Sequence, residues 1–337
     1  MCLTKEHCEN HKEPQNYKNK LLIIKPERLN ELCRRGEFQY FYATDGFGCS
    51  PDSLGRAVFG HFLLDGQKTR LERSDFIGIA DKSQLPIWAA NRLELLEKPS
   101  MKIRVFQLRE ASPLTFMNFE EPSKRGGVKS KDYRQVYGGT VFAENLEDVF
   151  RLCNTELPYG YHGHSLSVSD LVEICDGKDK GFYFVDSIGF KKLDDFDISL
   201  TDHNDMMKVL ILEKDRLPYE AEIKHNIYAM QHIVGGSFDI IYFEPKDDAI
   251  CFCNDEFLLN GSQPNRVVGN TLVHGTCFIA GNEMTEYGEY DSCSLTDEQI
   301  RKYSEMFPQS VVMAADLAMP QQSEEQTQEE TQEQTLE

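Results

Sequence analysis

The residues of this chain that could do chemistry concentrate in its middle. They lie in Tyr159-Gly-Tyr-His-Gly-His-Ser-Leu-Ser-Val-Ser-Asp170 and in Gly181-Phe-Tyr-Phe-Val-Asp-Ser-Ile-Gly-Phe190. His164, Ser165 and Asp170 are the types a nucleophilic hydrolase uses: a hydroxyl, a base held within about 3 Å of it, and a carboxylate that orients the base. Asp186 closes the second run, a common place for a site and equally for a plain turn. The order Gly163-His164-Ser165-Leu166-Ser167 departs from the Gly-x-Ser-x-Gly of a nucleophile elbow, which also needs a helix where a strand is expected here. Neighbours in sequence seldom point at one another. The preferred reading is that His164 and the serines satisfy backbone groups at a strand entrance. His162 and His164 fall on one side of an extended chain, as two metal ligands would, but the pattern forces no carboxylate or cysteine beside them.

Two further groups stand out. Asn265 and Arg266 follow Pro264 in what reads as a loop. An arginine there would clamp a carboxylate or phosphate, or form a surface ion pair. Arg56, Lys68, Arg70 and Arg73 make the best basic patch, diluted by Glu72 and Asp75. Nucleic-acid contact is expected only through this part of the chain, residues 37–99. No metal is expected. Cys2, His7, Cys8 and His11 lie in a polar N-terminus, and Cys251 and Cys253 share one face of a strand and read as a core or surface stripe. No cofactor is expected either. Gly46 and Gly48 are followed by Cys49-Ser50-Pro51 rather than a third glycine, and the Gly-Lys-Ser/Thr of a phosphate loop is absent.

The elements that must position these residues read as α+β. Met101–Leu108 alternates apolar and charged side chains, and Tyr137–Phe142, Ser167–Ile174 and Gly181–Asp186 also read as strands. Asn145–Asn154 reads as a helix capped by Asn145, with Leu146, Val149, Phe150 and Cys153 on its apolar face. Residues 111–131 read as a loop. Earlier, Pro26–Arg35 and residues 84–97 read as helices, and a hairpin turns at Asp65-Gly66. Ser50-Pro51 suits the start of a short helical turn. Later, Met207–Glu213, Phe238–Phe243, Ala249–Asn254 and Gly275–Gly281 read as strands. Tyr219–Val234 reads as one helix stopping at Gly235, and Thr296–Phe307 as another with a Thr296/Gln299 capping box.

Length and charge frame these pieces. The chain has 337 residues, enough for two or three domains. The expected organisation is three small mixed α/β modules in tandem, at 20–99, 100–198 and 206–310. A linker at 199–205 joins the last two, with disordered ends at 1–19 and 317–337. The net charge of −20 is graded: +1 over residues 1–99, −5 over 100–205, −10 over 206–316 and −6 over 317–337. Lys and Arg bind phosphate backbones, so the acidic C-terminal half suits a basic protein surface instead. No apolar run approaches the roughly 20 residues of a membrane span. The scattered cysteines suit a reducing compartment, so the expectation is a cytoplasmic protein without membrane contact.

Gly163-His-Ser-Leu-Ser-Val-Ser-Asp170 followed by Phe182-Tyr-Phe-Val-Asp-Ser-Ile-Gly-Phe190 resembles the YodL-like domain, over roughly 101–197. Residues 207–307 are similar to a second, uncharacterised family of phage and conjugative-element proteins. The matching pieces are Met207–Glu213, Ile233-Val-Gly-Gly236, Pro264-Asn-Arg266, Gly275–Gly281 and Leu295–Gln299. Residues 37–79, with Gly46-Phe-Gly-Cys-Ser50 and Arg73-Ser-Asp-Phe76, resemble a third module that accompanies these two in Firmicutes elements. The resemblance implies a multi-domain, polyvalent protein of a mobile element acting against host defences. It carries no catalytic residues. The function expected is therefore a non-catalytic accessory protein that binds a basic host protein. A ligand or hydrolytic site at His164, Ser165, Asp170 and Asp186 is the competing reading, and nucleic-acid binding through residues 37–99 a third.

Overall fold

The computed structural model describes residues 16–50, 55–109, 112–203, 205–244 and 248–317. The Cys2/His7/Cys8/His11 group and the Pro51 helical turn lie outside these residues. So do the expected disordered ends, apart from residues 16–19 and Leu317. The chain divides into two compact units, one formed by residues 1–97 with 308–337 and the other by 98–307.

In the first unit, period-2 alternation builds an antiparallel sheet. Its strands are β1 (Lys20–Ile24), β2 (Tyr40–Asp45), β3 (Ala57–Phe62), β4 (Lys68–Glu72) and β5 (Phe76–Ile79), in spatial order β4-β3-β2-β1-β5. The short helix α1 (Pro26–Glu31) starts on Pro26, where the ring costs no hydrogen bond. Tyr40 and Tyr42 face Trp88, Ala89 and Leu93 of α2 (Ile87–Glu97). Phe41 and Ala43, one residue out of phase, pack with Leu29, Val58, Phe62 and Phe76 on the other face. Buried Arg92 ties the C-terminal segment to this unit by donating to the carbonyls of Leu63, Leu64 and Ser310.

The second unit is organised by one long sheet. Its elements in chain order begin with β6 (Met101–Leu108), α3 (Glu120–Lys124), β7 (Tyr133–Val141), α4 (Leu146–Thr155), β8 (Leu171–Ile174), β9 (Gly181–Val185) and β10 (Phe190–Leu193). They continue with β11 (Met206–Leu212), β12 (Tyr219–Lys224), α5 (Ile227–Val234), β13 (Phe238–Ile241) and β14 (Ala249–Asn254). A small separate hairpin of β15 (Pro264–Val268) and β16 (Thr271–His274) follows, then β17 (Cys277–Met284), β18 (Tyr290–Cys293) and α6 (Asp297–Met306). A last turn of helix, α7 (Ala314–Leu317), belongs to the first unit. The long sheet runs β10-β9-β8-β6-β7-β12-β11-β17-β14-β13, with β18 added on β17. The class is α+β.

One face of this sheet is mostly apolar. Ile103, Val105 and Tyr137 pack with Val149 and Cys153 of α4, and Val209, Ala221 and Ile223 pack with Met230 and Ile233 of α5. The opposite face is apolar only toward its two ends. Phe106, Phe184 and Phe196 cluster in one half, and Leu210, Cys251, Cys277 and Tyr303 in the other. Cys251 and Cys253 are thus core residues.

Between those two clusters lies a charged row. Arg104 on β6 stands opposite Gly138 on β7, which in turn stands opposite Glu222 on β12. With no side chain at Gly138, the Arg104 guanidinium reaches across to Glu222 in a two-bond fork of 2.9 and 2.8 Å. A Cβ on Gly138 would sit 2.7 Å from the Glu222 carboxylate. Glu173 on β8 grips Arg104 from the other side at 3.1 Å, and Lys102 pairs with Glu220 at 2.9 Å.

Three local expectations are corrected. Ser167–Asp170 is a loop, because Ser169 adopts φ +82° and the Asp170 carboxylate takes the Ser167 amide, so the strand begins only at Leu171. Tyr219–Val234 is a strand followed by a helix. Tyr219, Ala221 and Ile223 alternate inward against outward Glu220 and Glu222, and Asn226 caps a fresh helix by accepting from the Ala229 amide. Asn265 and Arg266 lie on a strand, β15, not in a loop. In addition, the stretch expected as a loop at 111–131 contains the short helix α3.

Candidate functional site

The central motif is built around Gln107, a residue the sequence did not single out. Gln107 is fully buried at the end of β6 and faces the loop Tyr159–Asp170. Its side-chain oxygen accepts from the His164 amide at 3.1 Å. Its side-chain nitrogen donates to the His164 carbonyl at 2.8 Å and to Asp170 Oδ2 at 3.0 Å. The fit is close, since a Cβ on Gly163 would lie 2.2 Å from Gln107 Oε1. Tyr161, stacked on Tyr137, also donates to the His164 carbonyl, at 2.9 Å. Glycine at 163 is thus a steric requirement of the amide clamp, while a Cβ on Gly160 would meet Ile223.

His164 and Asp170 are brought together. The His164 Nδ1 lies 3.7 Å from Asp170 Oδ2, 3.0 Å from Gln107 Nε2 and 2.8 Å from the Ser165 carbonyl. Asp170 is buried, and burial pushes its carboxyl up to about 7 against the lowering pull of the Ser167 amide, His164 and Gln107. The histidine meets carbonyl, amide and carboxylate groups; the hydrogen bonds of the described residues place no serine hydroxyl on its ring. Ser167 Oγ donates instead to the Ser165 carbonyl at 2.8 Å. Ser165 is exposed at the loop surface. Asp186 lies elsewhere in the motif: its Oδ1 accepts from the amides of Ser187 at 2.8 Å and Phe119 at 3.1 Å, pinning the 112–119 loop to the β9–β10 turn. His162 is half-buried, and burial lowers its affinity for a proton. Among the described residues no group of three His, Cys, Asp or Glu side chains is arranged for a metal ion.

Asn265 and Arg266 are buried, not surface residues. Asn265 donates to the carbonyls of Leu212 and Gly275, both at 2.7 Å. Arg266 donates to the carbonyls of Phe307 at 3.0 Å, Glu213 at 2.8 Å and Arg216 at 2.5 Å. Its fork bolts the start of β15 to the end of α6 and to the β11–β12 turn. In the first unit, Lys68 and Arg70 do alternate on exposed β4, Arg70 opposite Phe59, and Arg56 is exposed before β3. Arg73 instead lies over the Tyr17 ring and donates to the Ser50 carbonyl at 3.2 Å.

The second unit also holds a cavity of about 470 Å³. Lys98, Tyr137, Arg151, Arg216 and Tyr219 are among its walls. Arg216 is sandwiched between the rings of Phe142 and Tyr219 and donates to Glu213 and to the Thr140 carbonyl. Arg151 is paired with Asp148 at 2.6 Å. Arg216 is thus committed to holding β7 against the β11–β12 turn, and Arg151 is engaged within α4.

Fold and site together define an α+β protein whose polar motif residues shape loops. Its parts have kin. A family model for the YodL-like domain matches residues 102–196, and one for the family described as Domain of unknown function (DUF3846) matches residues 207–308. The chain therefore carries a YodL-like domain followed by a DUF3846 domain, and the long sheet runs through both. No curated protein and no solved structure matches the chain. Among the described residues no helix is long and apolar enough to cross a membrane.

Proposed function

We propose that this chain is a non-catalytic interaction protein that engages a basic surface on a partner protein through its DUF3846 domain. The observation that carries this reading is the β17–β18 hairpin. It presents Met284, Tyr287 and Tyr290 to solvent, with Tyr287 83 % exposed. Glu283, Glu286, Glu289 and Asp291 are interleaved with them, and Lys or Arg is absent from residues 282–300. Tyrosine and methionine anchors within a charged rim are the composition of contact surfaces, and the sign of the rim selects a basic partner. The tip is closed by a turn: the Thr285 amide donates to the Glu289 carbonyl at 2.7 Å, and Gly288 turns at φ +80°. The resemblance to mobile-element modules supports a setting in which that partner is a host nuclease or DNA-binding protein.

The test is co-purification of host proteins on the full-length chain, compared with a Tyr287→Ser, Tyr290→Ser variant. The expected result is a basic protein retained at low salt, released as ionic strength rises, and absent with the variant. Capture that ignores both salt and the hairpin would overturn the proposal.

A further inference from the structure

We infer that the cavity of about 470 Å³ in the second unit binds a small zwitterion, a free amino acid or short peptide with an apolar body. It shares no lining residue with the hairpin or with the His164–Asp170 loop. Its volume lies in the range of small-molecule sites, roughly 300–1,000 Å³. Its walls come from both family-matched segments. Tyr137, Phe142 and Glu156 belong to the YodL-like domain, and Glu213, Arg216 and Tyr219 to the DUF3846 domain.

One wall group is buried without a partner. Tyr137 is fully buried and lines the cavity, and its hydroxyl makes no hydrogen bond among the described residues. The hydroxyl lies over Gly139, where a Cβ would come within 2.7 Å of it. Burial raises its pKa against a lowering pull from Arg216, so it stays a neutral donor. A buried hydroxyl left unbonded costs stability, and a guest that bonds to it recovers that cost. Arg216 also has capacity to spare. Its bonds to Glu213 and to the Thr140 carbonyl leave other N–H groups of the guanidinium unspent, so holding β7 does not exhaust it.

Charge selects the class of guest. His232 aside, cations and carboxylates line the cavity in equal numbers: Lys98, Arg151 and Arg216 against Asp148, Glu156 and Glu213. Arg151 pairs with Asp148, and Arg216 with Glu213. The other two, Lys98 and Glu156, are opposite in sign. They form no ion pair with each other or with any described residue. Their surroundings define two ends. Lys98 and Arg216 share the Phe142 ring, at 4.8 and 4.2 Å from its centroid, which makes one end cationic. Glu156 is the C-cap of α4, where the last helix carbonyls add negative potential, so this end is anionic. A simple anion or cation would gain at one end and lose at the other. A molecule with a carboxylate for Lys98 and an ammonium for Glu156 gains at both. Val141, Leu152 and Leu157 offer apolar wall for its body.

The experiment is calorimetric titration of the full-length chain with L-phenylalanine and with L-leucyl-L-phenylalanine, each also in its N-acetyl form and its C-terminal amide form. At least one of the two zwitterions should bind, and both of its blocked forms should bind at least about tenfold more weakly. Which zwitterion binds distinguishes an amino acid from a peptide as the guest. Lys98→Met should weaken the zwitterion and leave its amide form unchanged. Glu156→Gln should weaken the zwitterion and leave its N-acetyl form unchanged. Both side chains are exposed and unpaired, so neither variant should melt early. Tyr137→Phe removes only the hydroxyl and should lower affinity without lowering Tm. The inference is overturned if neither zwitterion binds, if a blocked form binds as tightly as its parent, or if binding ignores Lys98 and Glu156. Tight binding of the N-acetyl forms would assign the cavity to carboxylate anions, and tight binding of the amides to cations.

Discussion

Removing the charge of Glu222 should loosen the seam between the YodL-like and DUF3846 domains. Arg104 and Glu222 are 25 % and 15 % exposed, and only this pair and Lys102–Glu220 link β6 to β12 by charge among the described residues. Breaking a buried pair leaves the surviving charge poorly solvated and costs about 3–5 kcal/mol. Partial exposure, and the retention of Glu173 beside Arg104, put Glu222→Gln at about 3 kcal/mol, the low end of that range. For a body of residues 98–307, that corresponds to a fall in Tm of about 6–12 °C. A double-mutant cycle with Arg104→Met, which keeps the stem packing, should give a coupling of about 2–3 kcal/mol. The effect is also tied to pH. Burial pushes the Glu222 carboxyl up, but Arg104 and Gln135 outweigh it and hold it below the usual carboxylate range. Its stabilisation is therefore present above the ordinary glutamate value near about 4.3 and is lost as pH falls through the lower, folded value. Calorimetric melting of the four proteins at neutral pH and at low pH measures both. A coupling below about 0.5 kcal/mol, or one that persists at a pH where the carboxyl is protonated, would refute the seam.

Three further predictions follow from the central motif and the β15 bolt. Gly163→Ala should cost about 1–3 kcal/mol by forcing a methyl group into Gln107. Adding Gln107→Ala should fail to double the loss, because the clash partner is gone; additive melting shifts would count against the clamp. Asp170 holds its proton in the folded chain up to about 7, above the ordinary aspartate value near about 3.9, so its ionisation disfavours folding. Stability of the second unit should fall as pH rises through that window, and Asp170→Asn should flatten the slope in urea titrations. His61, in the first unit, is lowered to about 4 by burial and works in the opposite direction, with stability rising from about 4 to about 6.5. The units must therefore be followed separately, with Trp88 fluorescence reporting the first. Arg266→Lys should melt markedly earlier, since an ammonium cannot span three carbonyls on two segments; unchanged melting would show the fork to be dispensable.

The sequence carried local structure further than it carried the site. Met101–Leu108 shows its strand by alternation through Val105, and the Asn145 and Thr296 caps mark two helices that form where expected. Tyr219–Val234 misled because Ile223, Ile227, Met230 and Val234 sit at helical spacing while Tyr219, Ala221 and Ile223 also sit at strand spacing. Pairing with β11 along its whole length, and with β7 at Ala221 and Glu222, settles which period wins. His164 and Asp170 were legible as a pair. Gln107, which organises them, was not, because one buried glutamine in a strand has no local signature. Arg266 after Pro264 suggested a surface clamp, and its burial depends on Phe307, 41 residues on. The β17–β18 hairpin could have been found from Glu283-Met-Thr-Glu-Tyr-Gly-Glu-Tyr-Asp291, where aromatic and acidic residues flank a glycine.

The most direct measurement is the salt dependence of partner capture by the full-length chain and by a Glu283→Gln, Glu286→Gln, Glu289→Gln variant. If the hairpin engages a basic protein, wild-type capture should weaken steeply with ionic strength, and the variant should bind more weakly with a shallower slope. Equal capture by the two proteins with the same slope would contradict an interaction made through the acidic hairpin.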